Sequence, residues 1–225
     1  MIKAVIFDAD GVIINSFMAA FKRHCEIATE LGLTPPSLQI FRQHFGKEWK
    51  QDFLNALAME LNWPAGGVDK FIEEYIKDYH NFNYPPMPKA KEVLTALSQQ
   101  GIKLAIISNR QRATLNLRFN RAGIDQNLFF QILTPENVKF RKPDPRVFDS
   151  LLRELKQKNI APTEVVYVGD TVKYDLAAAK NHTPPLHFIG ITSGAATTEE
   201  FLQAGLPKKF IISSLEEIIP IIKSL

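Results

Sequence analysis

The stretch Lys-Ala-Val-Ile-Phe-Asp-Ala-Asp-Gly-Val, residues 3–12, decides the fold of this 225-residue chain. Its first half, residues 3–7, is a short apolar run of the kind that forms a strand buried on both faces of a parallel sheet. The run stops at two carboxylates, Asp8 and Asp10, and at the flexible Gly11. In open α/β sheets, ligands bind beyond the carboxyl ends of the strands. The stretch therefore predicts a buried strand with a site for chemistry directly after it.

The rest of the chain alternates further apolar runs with segments of helical spacing. The apolar runs are residues 102–107, 130–133, 165–168 and 186–191. The segments with helical spacing are residues 89–100, 112–122, 145–158 and 175–181. This alternation is typical of crossover connections between parallel strands, and it predicts an α/β fold with a doubly wound parallel sheet. The tail, residues 210–225, predicts one more strand followed by a packed helix.

A long segment after the first strand breaks this alternation. From about residue 17 to 84 no strand pattern occurs, and helical patterns cover residues 19–31, 49–61 and 68–79. Asn15-Ser16 precedes the segment and the turn-forming run 84–88, with three prolines, follows it. We therefore predict two domains: an α/β core formed by residues 1–15 and 86–225, and a helical cap domain formed by residues 16–85.

Composition and charge exclude several classes of function. With 27 Lys+Arg against 24 Asp+Glu, the net charge is only +3, and the basic residues form no stripe in the sequence. We therefore expect neither a nucleic-acid nor a membrane partner. A single cysteine, Cys25, excludes an intramolecular disulfide and a cysteine-cluster metal site. The apolar run 4–7 is shorter than the core of a secretory signal, and polar residues interrupt the tail. We expect a cytoplasmic protein.

Acidic residues follow two of the predicted strands. Gly169-Asp170-Thr171 follows the fourth strand, and Asp175 lies five residues beyond Asp170. A lone aspartate after a strand is more often a helix cap or a turn residue. Capping does not by itself explain why Asp8 and Asp10 both precede Gly11 and why another Gly-Asp pair follows a second buried strand. If the first and fourth strands are neighbours, each like-charged pair about 4 Å apart repels by roughly 4 kcal/mol at an effective dielectric of 20. A Mg²⁺ ion with a substrate phosphate would offset that repulsion.

Two further loops carry polar groups suited to an anion. Ser108-Asn109 follows the second strand, where backbone N–H groups at a helix start favour an anion, although an ordinary N-cap explains it equally well. In the run 141–145, Asp144 and Pro145 predict a helix start. A lysine beside a helix start opposes the helix dipole, so we expect an anionic partner for Lys142.

Taken together, these motifs resemble those of the haloacid dehalogenase-like hydrolases. The resemblance spans essentially the whole chain, and the tail 210–218 is similar to that of phosphoglycolate phosphatases. The helical insert looks like the small helical cap found in the branch that includes phosphoglycolate phosphatase and β-phosphoglucomutase. The four motifs, in family order, are DADGV at 8–12, ISN at 107–109, RKPDP at 141–145 and VGDTVKYD at 168–175.

The resemblance implies a Mg²⁺-dependent phosphatase that hydrolyses a small phosphorylated metabolite. Asp8 would be the nucleophile and form an aspartyl phosphate, and Asp10 would be the general acid and then the general base. Ser108, Lys142 and the backbone of Asn109 would bind the phosphoryl group. Asp175 would order a bound water or Lys142. The metal set predicted in this way is Asp8, Asp10 through its backbone carbonyl, Asp170 and Asp175.

Three points stay open at the level of the sequence. The loop 46–50 resembles the family's specificity loop, where Lys47 or Lys50 would meet an anionic group of the substrate, but an ordinary solvated helix start is at least as good an interpretation. A phosphomutase would use the same motifs and return the phosphoryl group to a sugar phosphate. A non-catalytic signalling module phosphorylated on Asp8 is a third interpretation, which the helical insert and Asp10 disfavour.

Overall fold

The chain divides into two compact units. The structure is a computed structural model and describes residues 1–45, 52–77 and 82–225. Unit 1 comprises Met1–Ser16 and Tyr84–Leu225, and unit 2 comprises Phe17–Asn83. The assignment of the two units as a catalytic core and a cap stays a prediction.

Unit 1 is built on a six-stranded sheet whose strands pair in parallel in the order β3-β2-β1-β4-β5-β6. From β1 the chain adds β2 and β3 on one side of the sheet, and it then adds β4, β5 and β6 on the other side. This is the order of a doubly wound sheet, and the predicted α/β fold is confirmed. The strands are β1 Ala4–Phe7, β2 Lys103–Ile107, β3 Phe129–Leu133, β4 Val165–Gly169, β5 His187–Ile191 and β6 Ile211–Ile212.

Ten α-helices lie in the described residues. In chain order they are α1 Ser16–Glu30, α2 Leu38–His44, α3 Leu54–Glu60, α4 Gly67–Lys77, α5 Ala90–Gln99, α6 Arg112–Ala122, α7 Asp149–Gln157, α8 Ala177–Asn181, α9 Thr198–Gln203 and α10 Ile218–Ser224. The predicted helix start near Pro145 is a 3₁₀ turn, Pro145–Phe148, that leads into α7, and the Asp144 carboxylate accepts a hydrogen bond from Arg146 N as its N-cap. The predicted final strand and helix are β6 and α10.

Helix α2 was absent from the sequence-based expectation. It has seven residues, so only two turns are available to display an apolar period. Ser37 caps it by accepting a hydrogen bond from Ile40 N at 3.2 Å, and Phe41 lies fully buried in the core of unit 2. The cap and the buried side chains hold this short helix in place, whereas its seven residues are too few to show a period in the sequence.

The register between β1 and β4 positions the site. Both strands are completely buried, which explains their continuous apolar sequences. Phe7 pairs with Val168, and the backbone N–H of Asp8 donates to Val168 O at 2.9 Å. Asp8 and Asp170 therefore leave the sheet at the same edge, as the sequence predicts for neighbouring first and fourth strands.

Unit 2 has an aromatic core of its own around a buried histidine. His24 is 2% exposed, and its ring lies 5.1 to 5.4 Å from the rings of Phe41, Phe53, Phe71 and Tyr75. Its Nδ1 lies 2.6 Å from the carbonyl oxygen of Ala20.

Within the described ranges, no helix is long and apolar enough to cross a membrane.

Burial of His24 makes the stability of the chain depend on pH. Burial lowers the pKa of His24 from 6.5 to about 4. Between these values the unfolded chain binds more protons than the folded one, so stability is complete above pH 6.5 and falls as the pH drops towards 4. The free energy of unfolding is expected to fall by about 3 kcal/mol in total, because each pKa unit between the two states corresponds to about 1.36 kcal/mol.

The matched measurement is urea unfolding of the wild type and of His24→Gln at pH 7 and pH 4.5. The difference in unfolding free energy between the two proteins is expected to shrink or reverse on acidification, because glutamine does not titrate. A difference that is the same at both pH values would contradict this account of His24.

Candidate active site

Asp8 lies at the end of β1 against a buried lysine. The side chain of Asp8 is 10% exposed, and its Oδ1 lies 2.7 Å from Nζ of Lys142. Burial raises the pKa of Asp8 to about 7; Lys142 opposes the shift, whereas the charges of Asp175 and Asp10 add to it. A carboxylate this close to a lysine and to other acids is suited to act as a nucleophile once a cation stabilises its charge.

Three carboxylates converge at this edge of the sheet. Asp8, Asp170 and Asp175 are all buried and each offers an oxygen within 4.8 Å of the others. Burial, followed by the charges of Asp175 and Asp8, raises the pKa of Asp170 well above its usual range. Three carboxylates and the Lys142 ammonium together carry a net charge of −2 when all are ionised. A divalent cation balances that charge, and the all-oxygen donor set fits Mg²⁺.

Lys142 joins Asp8 to Asp175. Its side chain is 4% exposed, and its Nζ contacts Asp175 Oδ1 at 2.7 Å and Tyr167 Oη at 3.1 Å in addition to Asp8. Burial alone would lower the pKa of Lys142, but Asp175 and Asp8 raise it above its usual range. The lysine therefore stays charged, and it has the anionic partners expected from its place beside a helix start.

Asp175 uses both of its oxygens within the protein. Oδ1 accepts hydrogen bonds from Lys142 and from the Tyr167 hydroxyl, and Oδ2 accepts from the backbone N–H and the hydroxyl of Thr171. A π-helical turn, Val172–Leu176, brings Asp175 back towards Thr171. Of the roles predicted for Asp175, ordering Lys142 agrees with this geometry, whereas direct metal ligation would break at least one of four hydrogen bonds.

Ser108 and Asn109 have different environments although they are adjacent in sequence. Ser108, at the end of β2, accepts a hydrogen bond from Arg110 N at 3.1 Å, and a hydroxyl that accepts remains able to donate. Asn109 pairs its side-chain amide with the backbone of Lys142, donating to Lys142 O at 3.0 Å and accepting from Lys142 N at 3.1 Å. Asn109 thus joins the two loops, a role that the sequence did not indicate.

Asp10 is turned towards two arginines. Its Oδ2 lies 2.5 Å from Nε of Arg110, and its Oδ1 lies 2.5 Å from Nη1 of Arg118. Burial would raise the pKa of Asp10, but the two guanidinium groups and a hydrogen bond from Ser16 hold it well below its usual range. In this conformation Asp10 is a carboxylate without a proton to give. The acid–base role predicted for Asp10 stays a prediction and requires these ion pairs to open.

A loop after β5 holds Asp170 in place. Oδ2 of Asp170 accepts a hydrogen bond from Ala195 N at 2.8 Å, and the Ser193 hydroxyl donates to Gly11 O at 2.9 Å. A Cβ atom at Gly11 or Gly194 would collide with the Asp170 carboxylate. The sequence signal for this loop was the run Ser-Gly-Ala after a buried strand, at the same edge as the other loops.

Two predicted substrate contacts cannot be placed. Lys47 and Lys50, in the loop 46–50, lie outside the residues that the structure describes. Conversely, sequence reasoning missed Arg118 and Tyr167, because each lies inside a regular element among apolar neighbours. Arg110 follows Ser108-Asn109 directly, and its position next to a predicted anion loop was a signal that could have found it.

The acidic cluster predicts that Mg²⁺ stabilises the folded chain, and more so at higher pH. Because the pKa of Asp8 is raised to about 7, protons compete with the cation below that value. A Mg²⁺ concentration of about 5 mM is enough for a site of millimolar affinity. We expect this concentration to raise the thermal unfolding midpoint at pH 8 and to raise it less at pH 6. An equal shift at both pH values, or the same shift in Asp170→Asn, would contradict a metal site at these residues.

The fold and the site together define an α/β protein with a buried acidic site at the strand ends of a doubly wound sheet. Residues 5–185 match the haloacid dehalogenase-like hydrolase family. The chain belongs to this family, as its four motifs indicated, and it is therefore an enzyme.

Individual relatives agree with this assignment. A phosphoglycolate phosphatase of Pseudomonas fluorescens is 28% identical over 189 residues, which cover 79% of this chain and 65% of that protein. A pyrophosphatase of Bacillus thuringiensis is 24% identical over 234 residues, covering 100% of this chain and 98% of that protein. A crystal structure of a family hydrolase from Deinococcus radiodurans, with bound phosphate and sodium, matches this chain with a TM-score of 0.79 at 23% identity. The match covers 99% of this chain and 96% of that chain, and at this identity it supports the fold alone.

Proposed function

We propose that this enzyme is a Mg²⁺-dependent phosphatase that hydrolyses a small phosphorylated metabolite through an aspartyl phosphate on Asp8. The observation that carries the proposal is the contact of Asp8 with Lys142 beside Asp170, at the edge where β1 and β4 end. The relatives named phosphoglycolate phosphatase and pyrophosphatase support phosphate chemistry.

Each residue has a defined part in the first half-reaction. A carboxylate oxygen of Asp8 attacks phosphorus, and the bond from phosphorus to the leaving oxygen breaks. Asp10, once released from its arginines and protonated, gives its proton to the leaving oxygen. The Ser108 hydroxyl donates to a phosphoryl oxygen, and Lys142 opposes the negative charge that collects around Asp8 and the phosphoryl group. Asp175 and Tyr167 hold the Lys142 ammonium at the position from which it can do so.

The second half-reaction regenerates the enzyme. Asp10, now a carboxylate, takes a proton from a water molecule, and the oxygen of that water attacks the phosphorus of the aspartyl phosphate. The bond between phosphorus and the Asp8 oxygen breaks, and inorganic phosphate leaves. A Mg²⁺ ion, held by Asp8, the Asp10 backbone carbonyl and Asp170, would supply positive charge to the phosphoryl oxygens in both steps.

The test is release of inorganic phosphate from p-nitrophenyl phosphate and from a panel of phosphorylated metabolites. We expect turnover with Mg²⁺, none with excess EDTA, and recovery when Mg²⁺ is restored. Asp170→Asn should need at least about tenfold more Mg²⁺ for half-maximal activity, in line with loss of one ligand. Absence of turnover with every ester would overturn the proposal, as would conversion of a hexose 1-phosphate to its 6-phosphate isomer without free phosphate.

A further inference from the structure

Two arginines bind one carboxylate in unit 1. Each oxygen of Asp10 is held by a different guanidinium group, Oδ2 by Arg110 and Oδ1 by Arg118. The three side chains together carry a charge of +1. Each guanidinium group makes one charge-assisted contact, and together the two contacts match the two oxygens of a carboxylate. The two arginines are therefore already arranged around a carboxylate.

Arg118 is the more unusual of the two. It lies on the buried face of α6, between Leu115 and Phe119, and its side chain is only 7% exposed. The Cζ atom of its guanidinium lies over the ring of Tyr84, 3.6 Å from the ring centroid, in a cation–π contact. Its Nε is buried and has no hydrogen-bond partner among the residues that the structure describes. The charge of this buried group is balanced only while a carboxylate, here that of Asp10, occupies the position beside Nη1.

We propose that Arg110 and Arg118 form a subsite for a carboxylate group of the substrate, and that the Asp10 side chain occupies this subsite when no substrate is bound. The inference rests on the proposed function, because it names the substrate class of the same site: a small phosphate ester that also bears a carboxylate. The substrate carboxylate takes the place of the Asp10 carboxylate between the two guanidinium groups.

The exchange has a consequence for the reaction. Asp10 cannot reach the leaving oxygen while both of its oxygens are bound to arginine. Entry of a second carboxylate releases Asp10, so that the acid–base residue becomes available when a substrate of the right class is present. An ester without a carboxylate leaves Asp10 in its ion pairs for most of the time and is hydrolysed more slowly.

Two substrates that differ only at this group test the proposal. 2-Phosphoglycolate carries a carboxylate where 2-hydroxyethyl phosphate carries a hydroxymethyl group. We expect the wild type to favour 2-phosphoglycolate in kcat/KM by about 30-fold, the effect of charge-assisted hydrogen bonds to one group. Arg110→Gln and Arg118→Gln should each reduce this ratio to about threefold or less. Arg121→Gln, on the exposed face of the last turn of the same helix, is the matched control and should keep the ratio.

A binding measurement separates this proposal from the proposed function. Calorimetric titration of Asp8→Asn with each compound reports the preference for the carboxylate even if no ester is hydrolysed. Arg110 is 29% exposed at its side chain, so Arg110→Gln carries the test if Arg118→Gln does not fold. A wild-type ratio near one, a ratio unchanged by both substitutions, or an arginine-dependent preference for pyrophosphate over 2-phosphoglycolate would overturn the carboxylate subsite.

Discussion

Replacement of Asp8 by asparagine is expected to abolish turnover, with a fall in kcat of at least about 10⁴-fold, because the nucleophile of a covalent mechanism is lost. Asparagine is nearly isosteric with aspartate, so the fold should persist. Its amide cannot attack phosphorus, and it also removes one charge from the cluster of three buried carboxylates. Phosphate release from p-nitrophenyl phosphate at saturating Mg²⁺ measures the effect.

The matched control for this variant is Asp125→Asn. Asp125 is exposed and caps a 3₁₀ turn by accepting a hydrogen bond from Asn127 N, a role that asparagine also fills. Asp125→Asn should therefore retain wild-type activity. If Asp8→Asn kept more than about one hundredth of the wild-type kcat, well above what loss of a nucleophile allows, Asp8 would not be the nucleophile.

Replacement of Lys142 by methionine is expected to lower both activity and stability. Methionine has a similar length but no charge, so the Asp8 and Asp175 carboxylates lose their common partner. Removal of one member of a buried ion pair costs about 3 kcal/mol or more in stability. The loss of one fixed positive charge at the phosphoryl group should lower kcat by about 10² to 10³-fold. Urea unfolding without Mg²⁺ and steady-state kinetics measure the two effects.

Two further variants separate these effects from general damage. Lys139→Met, at an exposed position three residues earlier in the same loop, should change neither quantity appreciably. Asp175→Asn in the Lys142→Met background should recover part of the lost stability, because it removes one of the two unopposed carboxylates. Equal stability of Lys142→Met and the wild type would contradict the structural role of this ion-pair network.

The sequence predicted the fold well because the relevant signals are local. The inner strands β1 and β4 are short, apolar and buried on both faces, so their residues indicate a strand without reference to the neighbouring strands. Strand order is not local, and the convergence of the acidic residues was predicted only on the condition that the first and fourth strands are neighbours. Helix α2 was missed because its seven residues are too few to show a period.

The site was predictable where residues follow strands and unpredictable where they lie inside elements. Asp8, Ser108 and Asp170 each come directly after a buried strand, and the topology of a parallel sheet brings such positions together. Arg118 lies inside α6, and only the packing of that helix against the sheet decides that it meets Asp10. Tyr167 lies inside β4, where its apolar neighbours give no sign that its hydroxyl binds Asp175.

Contacts between side chains were harder to predict than strands, helices or the positions of the site residues. Asp10 precedes a glycine, as the motif requires, yet nothing near it in sequence indicates that it pairs with two arginines 100 and 108 positions away. The sequence left three roles open for Asp175, namely ordering a water, ordering Lys142 and ligating a metal, and the four donors around it favour the ordering of Lys142. Long-range ion pairs depend on tertiary packing, which a single sequence encodes only indirectly.

The central claim, a covalent phosphoryl group on Asp8, has a direct measurement. Enzyme turning over a radiolabelled phosphate ester is quenched in acid, digested, and its labelled peptides are identified by mass spectrometry. The account predicts label in the peptide that carries Asp8, with the hydroxylamine sensitivity of an acyl phosphate, and none in the same peptide of Asp8→Asn. Full turnover with no labelled peptide at any quench time, or label on a residue other than Asp8, would contradict it.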